Sequence, residues 1–371
     1  MSLSRRSFLR NTAATATLLQ LPFAERLFAS PEPQRNPLVT GAIAINSNEN
    51  AYGPLPSAMK AMQDALLRGN RYPFGLYDPL LAKIASINNV KKDQVVMGAG
   101  STEMLRLAAL AFLAPGKNVV VADPTFEAMA EFADALGAEV RKVPLAENYA
   151  HDLDAMLKRA DANTGLVYIC NPNNPTASLT PDKQLDQFIH SLPPQTVVLI
   201  DEAYHHFADG LPGYRSFMPQ ADDRVIVMRT FSKIYGMAGI RLGYSVASPA
   251  TIKKMAAYRL PISVNTIAAA GGLASLEDES AMRAAAQRNA GDRAEFAKEA
   301  IARNVTMIPS FANFAMLKVN QPVRQVIDGF REKNVLIGRP FPPMNDYVRI
   351  SFGLPSEMKA FWQAWDQIRP A

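Results

Sequence analysis

Thr230-Phe231-Ser232-Lys233-Ile234-Tyr235-Gly236-Met237-Ala238-Gly239-Ile240-Arg241-Leu242-Gly243-Tyr244 decides how the rest of this 371-residue chain is read. The apolar run 225–229 predicts a strand, and Lys233 follows its end among apolar and small residues rather than other charges. Partial desolvation at such a place lowers a lysine's pKa enough for Schiff-base formation. Ser232 beside it and Arg241 eight residues on can hold a phosphate, the arginine through a two-pronged fork. Gly236, Gly239 and Gly243 permit close backbone approach.

Working outward, Asp201-Glu202-Ala203-Tyr204 directly follows the apolar run 197–200. A carboxylate at a buried strand end needs a cationic partner, because an unpaired buried charge is costly. A protonated pyridine nitrogen would serve, and the pairing would keep that ring an electron sink. Tyr204 can hydrogen-bond a phenolic ring oxygen, and Asn171, the first amide of Asn171-Pro172-Asn173-Asn174-Pro175-Thr176, can reach the same atom. Gly98-Ala99-Gly100-Ser101-Thr102-Glu103 lies between a strand and a helix, where free amides and two hydroxyls make an anion site. Asp123-Pro124-Thr125-Phe126 ends another strand and presents an aromatic that can stack on a ring.

Strands are expected at 95–98, 118–122, 139–143, 165–170, 196–200, 225–229 and 242–247. Helices are expected from 56 to about 69, then at 103–113, 126–136 and 153–160. Continuous apolar strands alternating with helices predict an α/β fold whose mostly parallel central sheet is covered on both faces. Ligands in such sheets sit at the carboxyl ends of the strands, where the polar residues above cluster. After Asn265 the texture changes to one long Ala-rich helix, 266 to about 303, and shorter strands near 314–319, 335–337 and 347–351. The expected organisation is a leader at 1–29, then a linker and N-terminal arm at 30–58 contributing to a smaller α+β domain. A large domain at 59–270 follows, and the connecting helix and small domain occupy 271–371.

Composition excludes other classes. The chain is 48% hydrophobic with a single cysteine, Cys170, so neither disorder nor a disulfide scaffold fits. No apolar run reaches the roughly 18 residues of a membrane helix, and no stable membrane anchoring is expected. Three of the five net positive charges come from residues 1–29, leaving no signal for a nucleic-acid partner. That leader carries Arg5-Arg6 before Phe8-Leu9, then a short, modestly apolar stretch and small residues near position 30. It resembles a twin-arginine export signal, which implies a periplasmic protein exported folded, and a cytoplasmic one if the signal does not function. The histidines at 151, 190, 205 and 206 have no cysteine or paired carboxylate to complete a metal site, and read as helix-surface residues.

The run SKIYGMAGIRLGY, with NPNNPT and DEAY upstream, resembles the fold-type I pyridoxal-phosphate aminotransferases of class I/II, over Asn46 to about Gly353. Asn48-Glu49-Asn50-Ala51-Tyr52-Gly53-Pro54, Arg71-Tyr72-Pro73, Ser310-Phe311-Ala312-Asn313-Phe314 and Tyr347-Val348-Arg349-Ile350-Ser351 are most similar to the histidinol-phosphate aminotransferases. The resemblance implies pyridoxal 5'-phosphate on Lys233, which also moves the proton between Cα and C4′. Asp201 would pair with the ring nitrogen, Asn171 and Tyr204 would contact the ring oxygen, and Phe126 would stack. Ser101, Thr102, Ser232 and Arg241 would bind the phosphate, with Tyr72 reaching it from the other subunit of a homodimer. Arg349 would bind the substrate's α-carboxylate or equivalent end, and Asn313, Tyr52 and Arg339 would line the substrate pocket.

The expected reaction is therefore transamination between an amino donor (an aromatic amino acid or a histidinol-phosphate-like amino-alcohol phosphate) and a 2-oxo acid. Decarboxylation of an amino acid or phospho-amino acid on the same fold is the alternative, differing in which Cα bond stands perpendicular to the ring. A non-catalytic periplasmic binding protein fits the leader but gives no reason for Lys233, Asp201 and Asn171 to occur together.

Overall fold

The computed structural model describes residues 41–218 and 222–371; the expected leader at 1–29 and most of the linker lie outside them. Eleven strands are found among these residues. They are β1 (Ile43–Ala44), β2 (Val95–Gly98), β3 (Asn118–Asp123), β4 (Glu139–Pro144), β5 (Thr164–Cys170), β6 (Val197–Asp201), β7 (Val225–Thr230), β8 (Gly243–Val246), β9 (Phe314–Lys318), β10 (Val335–Leu336) and β11 (Tyr347–Ser351). Seven of them form the central sheet in the order β2-β8-β7-β6-β5-β3-β4. The pairs β4–β3–β5–β6–β7 are parallel, and only β8 runs against its neighbours. The expected α/β architecture is therefore the one observed.

The apolar runs explain the layering. Every residue of β5, β6 and β7 is buried, which requires cover on both faces. Val167, Ile169, Val198, Ile200, Val225 and Val227 point to one face and pack with Leu185, Phe188 and Ile189 of the helix Asp182–Ser191. At the β2–β8 end, Met97, Tyr244 and Val246 pack with Leu80 and Ile84 of the helix Phe74–Ile87 and Met62 of the helix Pro56–Leu66. A separate core gathers Phe296, Phe330, Phe361, Trp362 and Trp365 around β9 and β11. Ile45 joins that core from the N-terminal arm, where β1 pairs in parallel with β10.

The structure corrects two expectations. The Ala-rich stretch is two helices, Thr266–Glu277 and Glu279–Ala302, broken at Asp278, whose carboxylate caps the second by accepting the Ala281 N–H at 3.1 Å. The first is small-faced and buried, with Gly271 against Met62 and Gly272 against Leu242, and the expected division at 270/271 falls inside it. The histidines are the second correction. His151 and His205 are buried, and burial holds both rings in the neutral form, His151 down to about 4. His205 and His206 pack against Tyr214 and Tyr235 in the body of the fold rather than on a helix surface.

Candidate active site

The parallel strands deliver their carboxyl ends to one edge, and the loops leaving β2, β3, β5, β6 and β7 meet there. Lys233 stands three residues past β7 in a tight turn closed by Gly236 N–H to Lys233 O (3.0 Å) and Met237 N–H to Phe231 O (3.0 Å). Its Nζ donates to the Asn48 carbonyl at 3.0 Å, lies 3.5 Å from the Ser47 carbonyl, and is 5.7 Å from the centre of the Tyr204 ring. Burial, followed by the positive charge of Arg349, lowers the Lys233 pKa to about 8, with Glu49 and Asp201 opposing.

The N-terminal arm is stitched over this lysine. Asn48, in the left-handed region at φ 54°, donates its N–H to Ser351 Oγ (2.8 Å) and its Nδ2 to the Tyr204 hydroxyl (3.1 Å). Asn313 Nδ2 donates to the Asn48 and Glu49 carbonyls, both at 3.1 Å, and Asn50 Nδ2 to the Ile234 carbonyl at 3.0 Å. The closeness depends on Gly236, at φ 65°, where a Cβ would collide with the Gly53 carbonyl. Gly236→Ala is accordingly expected to cost about 2 kcal/mol or more of stability. Chemical denaturation checks this, and a midpoint equal to the parent's would contradict the arm's placement.

Asp201 ends β6 fully buried. Its Oδ2 accepts from the Tyr168 hydroxyl at 2.8 Å and its Oδ1 from the Ala203 N–H at 3.0 Å. Burial raises its pKa to about 6, against the lowering effect of the Tyr168 bond. Among the described residues it has no ion-pair partner, so its neighbourhood is short of one cation. Tyr168, a strand residue with no motif around it, was not singled out from the sequence.

Next to the lysine turn is an anion cradle. Ser101 and Thr102 open the helix Ser101–Phe112 after Gly100, and Gly243 brings β8 so close that a Cβ would strike the Ser101 nitrogen. Thr230 Oγ1 donates to Ser232 Oγ at 2.9 Å. Arg241 Nη1 donates to the Ala238 carbonyl at 2.8 Å and lies 3.4 Å from Ser232 Oγ. Among the described residues Arg241 has no carboxylate partner.

Opposite lies a second cationic end. Arg349, in the middle of β11, is buried with its Nη1 on Asn174 Oδ1 (2.6 Å) and its Nη2 on the Asn46 carbonyl (2.8 Å). Its Nε is buried without an acceptor, and the guanidinium stands 4.5 Å from the centre of the Phe341 ring. Burial lowers its pKa to about 10. Asn313 Oδ1 is buried and unpartnered nearby.

The structure thus gathers Lys233, Asp201, Tyr204, Ser232, Arg241, Arg349 and Asn313 around one centre, with Ser101 and Thr102 at its cradle. Thr125 Oγ1 to Asn173 Oδ1 (2.8 Å) ties the loop bearing half-buried Phe126 to the loop after β5. Four expected residues are placed differently. Both ends of the Asn171 amide are engaged by the Thr180 backbone (Oδ1 and Nδ2, each 3.0 Å), so Asn171 shapes the loop while Asn174 is the amide on Arg349. Tyr52 donates to the Asp292 carboxylate at 3.2 Å under the Arg288 guanidinium, which pins it on the helix Glu279–Ala302. Arg339 is ion-paired with Glu127. Tyr72 is 71% exposed beside Phe74 and is not among the contacts of Lys233.

This donor set has a definite complement. An amine poised to react with a carbonyl, a buried carboxylate lacking a cation, and a hydroxyl-and-arginine cradle lacking an anion match an aldehyde, a pyridinium and a phosphate held on one frame. Pyridoxal phosphate carries all three, so the residues fit it.

The family model described as aminotransferase class I and II matches residues 40–364. The histidinol-phosphate aminotransferase of Symbiobacterium thermophilum is 37% identical over 326 residues, covering 87% of this chain and 89% of that protein. That of Moorella thermoacetica is 34% identical, covering 91% and 88%. The crystal structure of histidinol-phosphate aminotransferase from Sinorhizobium meliloti in complex with pyridoxal-5'-phosphate superposes with a TM-score of 0.82 at 26% identity, covering 88% of this chain and 90% of that one.

Proposed function

The chain belongs to the class I and II aminotransferase family and is a pyridoxal-phosphate-dependent transaminase of fold type I, and we propose how its own residues perform that reaction and on what. The observation that carries the reading is Lys233 Nζ held by two backbone carbonyls beside the buried, cation-deficient Asp201. Pyridoxal phosphate, when bound, draws electrons from the substrate's Cα and stores the amino group between the two half-reactions.

The remaining steps fall to the protein. Arg241, Ser232, Ser101 and Thr102 bind the phosphate, and Phe126 covers the ring. Asp201 keeps the ring nitrogen protonated, its own charge held in place by Tyr168 and the Ala203 N–H. Tyr204, oriented by Asn48, donates to the ring oxygen, and Asn174 takes the part expected of Asn171. Arg349 anchors the anionic end of the amino donor, which fixes the Cα–H bond within reach of Lys233. The lysine, whose pKa burial lowers to about 8, takes that proton as its free amine and returns it. A carboxylate clamped by Arg349 is not free to leave, which favours transamination over decarboxylation. Product analysis separates the two: equal amounts of 2-oxo acid and new amino acid support the reading, and release of carbon dioxide contradicts it. The donor is an aromatic amino acid or a histidinol-phosphate-like amine, since the relatives named above act on the latter.

The working unit is a homodimer with Tyr72 supplied in trans. In one chain Tyr72 and Phe74, their ring centres 5.6 Å apart, are both exposed, and exposed aromatic side chains of this kind suit an interface. Thr266 Oγ1 to Arg71 O (2.8 Å) fixes the loop that presents it. Tyr72→Phe removes one hydrogen bond to a charged group, about 1.5–3 kcal/mol. Cofactor dissociation should accelerate by roughly 10- to 100-fold, and an unchanged rate on dialysis would count against a shared site. Residues 1–29 direct export through a twin-arginine route after the cofactor is acquired, giving a periplasmic enzyme. Replacing Arg5 and Arg6 by lysine should retain it in the cytoplasm, and periplasmic recovery of that variant would contradict the assignment.

A further inference from the structure

Resting on the transaminase reading, we propose that Tyr149 is a positioning residue for the amino donor. Its hydroxyl, bonded to that of Tyr347, holds the strand bearing Arg349 where the anionic end of a substrate can be met. Lys233 follows β7 of the central sheet, whereas Arg349 sits on β11, which pairs with β9 in a separate sheet of two strands. Among the described residues no strand ladder joins the two sheets, so side chains must set the span from amine to guanidinium. Alternation along β11 puts Tyr347, Arg349 and Ser351 on one face, and each bonds a different segment. Ser351 Oγ accepts from the Asn48 N–H of the N-terminal arm at 2.8 Å. Arg349 reaches Asn174 of the loop after β5 at 2.6 Å, and the Tyr347 hydroxyl meets that of Tyr149 at 2.8 Å.

The backbone around Tyr149 is committed to this contact. The residue lies between β4 and the helix Leu153–Arg159 at φ 63°, a left-handed conformation uncommon for a bulky side chain. Ser178 Oγ donates to its carbonyl at 2.6 Å, and two residues on the His151 N–H donates to Thr180 Oγ1 at 3.0 Å. Thr180 is the residue whose backbone holds Asn171. Tyr149 is thus braced on the loop after β5, and its half-buried ring packs edge-on against buried Tyr347, centres 6.1 Å apart, beside Phe341 and Met344. Asn174 and Tyr149 accordingly grip β11 from one braced pair of loops, the first at Arg349 itself and the second two residues before it. A substrate anion arriving at the guanidinium competes with the first bond and leaves the second untouched. The hydroxyl pair therefore keeps the strand in place while the donor binds.

The test uses the cofactor-loaded full chain with Tyr149→Phe, Tyr347→Phe and the double variant, each of which keeps the rings and their packing. Calorimetric titration with 3-phenylpropionate and 3-phenylpropyl phosphate, which carry the two candidate anionic ends but no amine, measures the grip of Arg349 without turnover. Both single variants should bind the tighter of the two about fivefold more weakly, through loss of one neutral hydrogen bond, and the double variant no more weakly than either. With a reacting donor of the same anionic end, the half-saturating concentration should rise by that factor while the saturated rate of cofactor-band loss stays within about twofold. Cofactor retention on dialysis should match the parent's. Unchanged affinity in both single variants, additive losses in the double variant, or loss of cofactor alongside the anion overturns the positioning role. A parent chain that binds neither anion contradicts the anchoring of the donor by Arg349 in the transaminase reading instead, so the two failures are distinguishable.

Discussion

Lys233→Ala is expected to slow conversion of an amino donor by about 10⁴-fold or more, since the variant loses both the cofactor's covalent attachment and the base that moves the Cα proton. Stopped-flow absorbance with a saturating donor measures it, and activity within tenfold of the parent would contradict the assignment. The cofactor-free protein offers a second readout. The folded-state pKa of Lys233 is depressed from 10.5 to about 8, so the folded state releases its proton more readily than the unfolded chain. The stability linked to this group is therefore present above about pH 10.5 and lost as pH falls through 8. The parent should gain stability between pH 8 and 10.5 relative to Lys233→Ala.

Asp201→Asn should give effects of opposite sign in the two forms. Loaded with cofactor, the variant lacks the carboxylate that pairs with the ring nitrogen, and breaking a buried pair of this kind costs about 3–5 kcal/mol. Turnover should fall by roughly 10²- to 10³-fold. Without cofactor the same change should stabilise the fold. The Asp201 pKa is raised from 3.8 to about 6, so the folded state binds the proton more tightly, and the penalty grows from about pH 4 to full size above pH 6. At pH 8 the cofactor-free variant should be more stable than the parent by about 1–3 kcal/mol, and at pH 4 the two should coincide. Urea denaturation at both pH values decides it. Equal midpoints at pH 8 would mean that Asp201 already has a cationic partner.

These predictions rest on residues whose types and spacing could be read directly. The central strands were legible because they are short apolar runs bounded by polar loops, and the site loops are the polar ends of those runs. Elements with mixed signals were not. The helix Phe74–Ile87 carries Pro79 inside it, and the break at Asp278 depends on a single capping carboxylate within an alanine-rich tract. In Asn171-Pro172-Asn173-Asn174 the residue types do not say which amide turns inward. Only the pairing of Asn171 with the Thr180 backbone assigns the active-site side to Asn174. Arg339 and Tyr52 were recognised by type, but their partners, Glu127 and Asp292, lie 212 and 240 residues away in sequence. Periodicity and motif spacing carry no information at that range.

The most direct test of the whole account is the visible absorption spectrum of the purified chain without residues 1–29, recorded before and after an amino donor and then after a 2-oxo acid. A cofactor band that disappears with the donor and returns with the 2-oxo acid is the predicted result. A chain that shows no band after incubation with pyridoxal phosphate would contradict the role of Lys233 and the reading built on it.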